Sequence, residues 1–199
     1  MKICNSSYVI LDILDKSLLK RIEIAGRTCY KSEDKITEDS ASKFVRMLVK
    51  RGHEAMIEHV SFSVKFIVDR GVSHEIVRHR HFSFAQESTR YVNYNKKGME
   101  FIQPKPVDVP EMYRLWKDMM YYAEIYYNKM IDMGVKPEMA RSVLPNSLKT
   151  EIIVTGNMRQ WRHFLKLRTH KTAHPQIREV AVPLLEELKQ KLPELFEDI

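Results

Sequence analysis

The sequence predicts an α+β fold in which helices flank an antiparallel sheet, with residues 1–199 forming a single domain. Short segments with alternating polar and apolar residues, typical of half-buried strands, lie between longer segments with the spacing of amphipathic helices. These two kinds of segment do not follow a regular βαβ order. No repeat, low-complexity linker or change of composition marks a domain boundary, and the length is sufficient for one core.

The first half of the chain is predicted to contain two strands and three helical segments. In order, these are a strand at 3–12, a helix at 15–30, a helix at 37–51, a strand at 60–71 and a short helical segment at 72–80. Thr37 is the expected N-cap of the second helix, and Gly52 follows its end. In the second strand, apolar residues at 62, 64, 66 and 68 alternate with polar residues at 61, 63, 65 and 69.

The second half begins with two turn-like runs, at 93–98 and 103–110. The elements predicted after them are the longest helix at about 108–133, a strand at 150–156, a helix at 157–168 and a last helix at about 174–194. The longest helix carries a broad stripe of methionine and aromatic side chains, and Gly134 is expected to end it. We interpret that stripe as core or as a subunit interface.

The composition indicates a globular protein with an anionic partner. The formal net charge is +7 and the pI is near 9.3, which suits nucleic acid, a phosphorylated small molecule or a nucleotide cofactor. Cys4 and Cys29 form no C-x-x-C pair. There is no signal-like apolar run at the start and no window near the ~20 apolar residues of a membrane helix. We therefore expect a soluble, cytoplasmic protein with reduced thiols.

The stretch RHRHFSFAQESTRY, residues 78–91, concentrates positive charge among aromatic residues. Arginine forks bind phosphate oxygens, and aromatic rings stack on bases. The residues alone therefore predict binding of a nucleotide or of single-stranded nucleic acid, without deciding between them.

Other common site types are not supported by spacing. In HEAMIEH (53–59), Ile57 stands where a zincin motif needs its second histidine, so no metal site is predicted. The six glycines form no phosphate-binding loop. Ser83 and Ser88 lie in no nucleophile motif, and we interpret their hydroxyls as hydrogen-bonding groups for a ligand.

Residues 78–91 resemble the signature of the flavin-dependent thymidylate synthases, R-H-R-x-x-S-x-x-x-x-S-x-R. The chain matches every fixed position of that signature: Arg78, His79, Arg80, Ser83, Ser88 and Arg90. Three further segments resemble motifs of the family in the expected order: GHEAMIEH (52–59), RSVLP (141–145) and NMRQWRHFLKLR (157–168). The resemblance extends from about residue 15 to residue 190.

The resemblance implies a reaction, its cofactor and an assembly. The reaction is the reductive methylation of dUMP to dTMP, with methylenetetrahydrofolate as carbon donor and NAD(P)H as the reductant of a bound FAD. The enzymes of this family are homotetramers whose active sites are shared between subunits. No membrane or nucleic-acid partner is implied. Neither cysteine lies in a matching motif, so a cysteine nucleophile is not expected.

The resemblance also implies residue roles. Arg168 would polarise the uracil, Ser88 would position the substrate through its hydroxyl, and His53 would lie near the flavin ring. The implied FAD contacts are Arg78, His79, Arg80, Gln86, Asn157, Arg159 and His163. The implied dUMP contacts are Glu75, Arg78, Gln86, Glu87, Ser88, Thr89, Arg90, Arg141 and Arg168. Ala55, Glu75 and His163 depart from residue types that are common in the family.

Two other classes of function compete with this interpretation. A basic protein that binds single-stranded nucleic acid would show steep salt dependence and no bound chromophore. A structural oligomer would use its arginines for stray phosphate. Neither explains why four matching segments occur in order.

Overall fold

The computed structural model describes residues 1–105 and 109–199. The strands are β1 (Lys2–Cys4), β2 (Ser7–Ile10), β3 (Ser61–Asp69), β4 (Ser83–Gln86), β5 (Glu100–Ile102) and β6 (Lys149–Asn157). The helices are α1 (Ser17–Tyr30), α2 (Ser40–Lys50), α3 (Arg70–Ile76), α4 (Tyr94–Lys97), α5 (Pro110–Asp132), α6 (Pro137–Ala140), α7 (Met158–Arg168), α8 (Pro175–Lys191) and α9 (Pro193–Phe196). Short 3₁₀ turns occupy Glu33–Lys35, Glu54–His59 and Arg141–Val143.

A four-stranded antiparallel sheet with the order β2-β3-β6-β4 is the centre of the fold. Its two middle strands pair over nine residues, from Ser61 opposite Asn157 to Asp69 opposite Lys149. Side chains of a strand alternate between its faces, and the even-numbered residues of β3 from Phe62 to Val68 are buried. The predicted combination of antiparallel sheet and helices is confirmed. The small parallel pair of β1 and β5 was not predicted.

The helix-covered face of the sheet contains the main core. Trp161 of α7 is fully buried and stacks on Phe62, with ring centroids 4.9 Å apart and planes at 23°. Its indole N–H also donates to the carbonyl of Phe62 at 3.1 Å. Phe164, one turn later, packs against Trp161 and Phe66. These contacts fix α7 on the sheet.

Three predicted boundaries were wrong. The strand at 3–12 is two strands, because β1 pairs with β5 whereas β2 pairs with β3. Thr37 does not cap α2: the helix begins at Ser40, whose hydroxyl accepts from the Thr37 amide and donates to the buried Glu23. The last helix divides because Pro193 has no amide N–H to continue α8.

The segment before the longest helix is described in part. The first predicted turn, at 93–98, is the short helix α4 followed by Gly98. Residues 106–108, which include part of the second predicted turn and the predicted start of the long helix, lie outside the described residues. The helix is described from Pro110 to Asp132, and Gly134 follows it with φ 84°, as its expected ending role requires.

The apolar stripe of α5 is only partly buried. Met120 and Tyr127 pack in a second cluster with Tyr94 and Phe101. The large apolar residues of α5 that remain exposed are Met112, Leu115, Met119, Tyr121, Tyr122 and Tyr126. Packing within one chain therefore buries only a few of the large apolar side chains of α5. Among the helices that the structure describes, none combines the length and hydropathy of a membrane crossing.

Gly156 allows the ring of Phe82 to lie directly on β6. A Cβ at position 156 would lie 2.1 Å from Phe82 Cε1 and 2.9 Å from the side-chain oxygen of Gln160. We expect Gly156→Ala to reduce the free energy of unfolding by about 1–3 kcal/mol, because the buried ring must move. Urea denaturation measures this effect. Ile153→Ala, on the outward face of the same strand, should cost less than about 1 kcal/mol. An unchanged denaturation midpoint for Gly156→Ala would contradict the packing described.

Candidate functional site

Arg168, the last residue of α7, is held by three hydrogen bonds. Its Nε donates to His79 Nε2 at 2.9 Å, its Nη1 donates to a Glu75 carboxylate oxygen at 2.7 Å, and its Nη2 donates to the Glu75 carbonyl at 3.0 Å. A guanidinium has five N–H groups, so the two that remain can donate to a ligand. The side chain is 20% exposed. Arg168 is therefore oriented in advance and still reachable.

His79 is the neutral acceptor in this arrangement. Burial, together with the nearby charges of Arg168 and His163, lowers its pKa to about 4. Its ring packs edge-on against Phe164, with centroids 4.9 Å apart. Because Nε2 accepts from Arg168, the ring proton lies on Nδ1 at neutral pH. The motif histidine that was predicted to bind cofactor thus has Arg168 as its direct partner.

Glu75 and Arg168, both predicted on the substrate side, are in direct contact. The carboxylate of Glu75 also lies 3.9 Å from His174 Nδ1. The pair presents a carboxylate acceptor beside guanidinium donors, and its charges offset each other. Such a pair suits a ligand edge that carries both an acceptor and a donor.

A cavity of about 600 Å³ opens beside His79. It contains four of the predicted cofactor residues: His79, Asn157, Arg159 and His163. The other residues that line it are Glu54, Glu58, His81, Phe82, Gln160, Arg162, Lys166, Asp198 and Ile199. The predicted residues His53, Arg78 and Arg80 are exposed and are not part of this lining.

Two of the predicted cofactor residues in the cavity, Asn157 and Arg159, already have partners. Asn157 caps the helix: its side-chain oxygen accepts from the Gln160 amide at 2.9 Å, while the Gln160 side chain accepts from the Asn157 amide at 2.7 Å. Arg159 pairs with Glu58 at 2.6 Å and with Glu54 at 3.4 Å. The cap alone explains asparagine at 157, so its role toward a cofactor stays a prediction.

The residues predicted to bind the rest of the substrate form a second group around the loop after β4. Arg141 donates to the hydroxyl of Thr89 at 3.4 Å, and Thr89 is buried. Arg90 pairs with Glu138 at 3.1 Å, and the Ser88 hydroxyl accepts from the Arg90 amide at 3.2 Å. Two arginines thus lie near hydroxyl and amide donors, which is a suitable set for phosphate oxygens.

The second group is separated from Arg168 by the alternation of β4. Gln86 lies opposite the inward residue Ile152 and donates to Ser73 and Thr150. Glu87, one residue later, lines a different cavity of about 520 Å³ on the other face. In the described part of the chain, no hydrogen bond or ion pair joins the Arg168–Glu75 pair to residues 87–90 or Arg141. Within a single chain, the residues predicted to bind the substrate therefore form two separate groups.

Sequence reasoning missed several charged residues of both cavities. Glu54 and Glu58 lie in the GHEAMIEH segment, so their motif was a usable signal. Asp198 is 36 residues from its partner Arg162, and no local pattern announces it. The second cavity carries Lys65, Lys149, Glu100 and Glu151, which pair with one another across the sheet.

Comparison with known proteins agrees with the geometry. A family model described as "Thymidylate synthase complementing protein" matches residues 13–194. The flavin-dependent thymidylate synthase of Corynebacterium efficiens is 37% identical over 196 residues, covering 89% of this chain and 78% of that protein. The corresponding protein of Geobacter sulfurreducens is 35% identical over 185 residues, covering 89% and 80%.

A solved structure is similar over nearly the whole length. It is the UMP/dUMP methylase PolB of Streptomyces cacaoi bound with 5-Br dUMP, with a TM-score of 0.84 and 26% identity, covering 99% of this chain and 96% of that chain. The signature, the fold and the relatives lead to the same assignment. The chain belongs to the family of the flavin-dependent thymidylate synthases.

Proposed function

We propose that this protein forms dTMP by reductive methylation of dUMP, with methylenetetrahydrofolate as carbon donor and with FAD that NAD(P)H reduces. The observation that carries the proposal is the fixed guanidinium of Arg168, which is hydrogen-bonded to the cavity residue His79 and has two N–H groups left to donate. The relatives support the thymidylate synthase class, and the co-substrates follow from the signature. We propose the whole chain as one catalytic domain in the cytoplasm.

The cavity beside His79 fits a flavin. Its size falls within the roughly 300–1,000 Å³ of small-molecule sites. Phe82 and Ile199 give it apolar surface, while Arg159 and Lys166 give it cationic groups suited to a dinucleotide phosphate. Together with Asn157 and His163, these residues would hold the cofactor. A reduced flavin bound there would supply hydride, so the protein's own residues need only bind, orient and polarise.

Arg168 and Glu75 would recognise the pyrimidine ring. A uracil imide places carbonyl acceptors next to an N–H donor. Arg168 can donate to a carbonyl, and Glu75 can accept from the N–H. As electron density moves to the ring carbon that forms the new bond, negative charge grows on the carbonyl oxygen. Arg168 would stabilise that charge without a proton transfer. His79 and Glu75 would keep the Arg168 guanidinium from reorienting.

The nucleotide phosphate would lie with Arg90, Arg141 and the hydroxyl groups of Ser88 and Thr89. Because this group and Arg168 are divided within one chain, we propose that two copies complete each site. The exposed apolar side of α5 supports an assembly, since large apolar patches on a surface commonly mark interfaces. A homotetramer is the assembly that the signature implies.

A nucleic-acid groove is less compatible with the geometry. Arg90, Arg159, Arg162 and Arg168 are each paired with a carboxylate. Those carboxylates would face the phosphates of a bound strand, and the repulsion would oppose binding. A small ligand that enters a cavity need not approach all of these pairs at once.

The first test is the visible spectrum of the purified protein with added FAD, followed by titration with dUMP and UMP. We expect FAD to bind, dUMP to shift the flavin bands, and dTMP to form when methylenetetrahydrofolate and NADPH or NADH are supplied. A stronger response to UMP would move the proposal to the ribonucleotide. Failure of the folded protein to bind FAD would sink it.

Removing the charge of Arg168 should stop catalysis. We expect Arg168→Ala to reduce dTMP formation by at least about 10²-fold, the usual effect of losing one preorganised donor to a developing oxyanion. Arg168→Lys should recover little, because an ammonium cannot bridge His79 and Glu75 with the same fork. Steady-state assays of product measure this, with Lys171→Ala as an exposed neighbour for control. Normal turnover of Arg168→Ala would remove this residue from the mechanism.

Subunit mixing tests whether sites are shared. We expect co-expressed Arg168→Ala and Arg141→Ala chains to recover roughly a quarter of wild-type activity, because some sites of the symmetric mixed oligomer contain neither substitution. Arg168→Ala mixed with Glu75→Ala is the matched control: both changes fall in the same half of the site, so no intact site can form. Equal recovery in the two mixtures, or none in either, would exclude division between copies.

A further inference from the structure

Residues 195–199 border the cavity beside His79, the proposed flavin site. They lie beyond the family match, which ends at residue 194. Asp198 and Ile199 line the cavity directly. This segment therefore adds a piece of wall that the shared motifs do not describe.

The turn is built into the fold. Leu195 and Phe196 are fully buried in the main core. Arg46 of α2 pairs with Glu197 and lies 3.9 Å from Glu194. Because these anchors are independent of the cavity, the position of Asp198 is set before any ligand binds.

Asp198 neutralises a nearly buried arginine. Arg162 is 10% exposed, and its Nη1 and Nη2 donate to the two carboxylate oxygens of Asp198 at 2.7 and 2.8 Å. Its Nη1 also donates to the carbonyl of Leu195. The hydrogen bonds from Arg162 hold the pKa of Asp198 below its ordinary value, so the pair is ionic at neutral pH. A two-pronged pair of this kind also fixes the plane of the guanidinium.

Asp198 acts on a cofactor residue through one shared carboxylate. Glu54 lies 3.4 Å from Arg162 Nε and, through its other oxygen, 3.4 Å from Arg159 Nε. In the described parts of the chain, Glu54 is the one carboxylate besides Asp198 within salt-bridge distance of Arg162. Without Asp198, the nearly buried charge of Arg162 must draw on Glu54, and Arg159 loses one of its two partners.

We propose that residues 195–199 form a wall of the flavin site, with Asp198 as a positioning residue that acts through Arg162 and Glu54 on Arg159. Ile199 supplies apolar surface on the same wall. The ligand class is the flavin cofactor, so this inference rests on the proposed function.

The test compares FAD affinity among variants of the full chain. We expect Asp198→Ala to weaken FAD binding about tenfold and to speed FAD release, measured by flavin fluorescence. Asp198→Asn should fall between Asp198→Ala and the wild type, because its amide oxygen retains one acceptor. Glu186→Gln, an exposed loss of charge on α8, is the control. Asp198 is 48% exposed. We therefore expect Asp198→Ala to reduce the free energy of unfolding of the FAD-free protein much less than it reduces the free energy of FAD binding.

Hydrogen–deuterium exchange of the wild type gives a second measurement that needs no variant. We expect added FAD to slow amide exchange in a peptide covering 192–199, while a peptide from 120–132 in α5 serves as reference. Two results would contradict the proposal that residues 195–199 form a wall of the flavin site. One is unchanged exchange at 192–199 on addition of FAD, and the other is a loss of FAD affinity in Asp198→Ala that merely follows a loss of stability. A wild type that binds no FAD would overturn the proposed function as well; a wild type and Asp198→Ala that bind it equally would overturn this inference alone.

Discussion

The nine-residue pairing of β3 with β6 is the constraint on which the site depends. The strands are antiparallel, so α3 leaves one end of the pair, after Asp69, and α7 leaves the other end, after Asn157. A nine-residue strand is roughly 30 Å long, whereas the eleven residues of α7 cover about 16 Å. Helix α7 runs back along the sheet toward α3. Its last residue, Arg168, therefore lies close enough to α3 to pair with Glu75. The buried indole of Trp161 locks the helix at that depth.

Charge is arranged locally in this protein, not as a uniform basic surface. The chain has a net charge of +7, yet the arginines around the first cavity are matched with carboxylates from other segments. Matched pairs lower the cost of holding guanidinium groups partly out of water, and they fix where each fork points. The result is a cavity with oriented donors and little excess field. For the proposed cofactor, selectivity would come from geometry, and net charge would contribute mainly to encounter.

Sequence patterns revealed the elements whose burial follows a simple period. The alternation of β3 and the helical stripe of α1 predicted those elements to within a few residues. Three-residue strands such as β1 and β5 leave no period to detect, and pairing between distant segments decides them. For α5, the stripe predicts an apolar face but carries no information on which surface covers it. The stretch at 78–91 predicted a ligand site, while its division between the two faces of the sheet emerges only from the register of β4.

The ring of Phe82 lying on Gly156 has a consequence for how this protein can vary. The space of a Cβ at 156 is already filled by an aromatic ring from the signature stretch. A larger residue at 156 avoids the cost of displacing this ring only when a smaller residue stands at 82, and a smaller residue at 82 opens a void beside Trp161. The side chains at positions 82, 156 and 161 therefore share one packed volume. We therefore expect the effects of substitutions at these three positions on stability to be coupled.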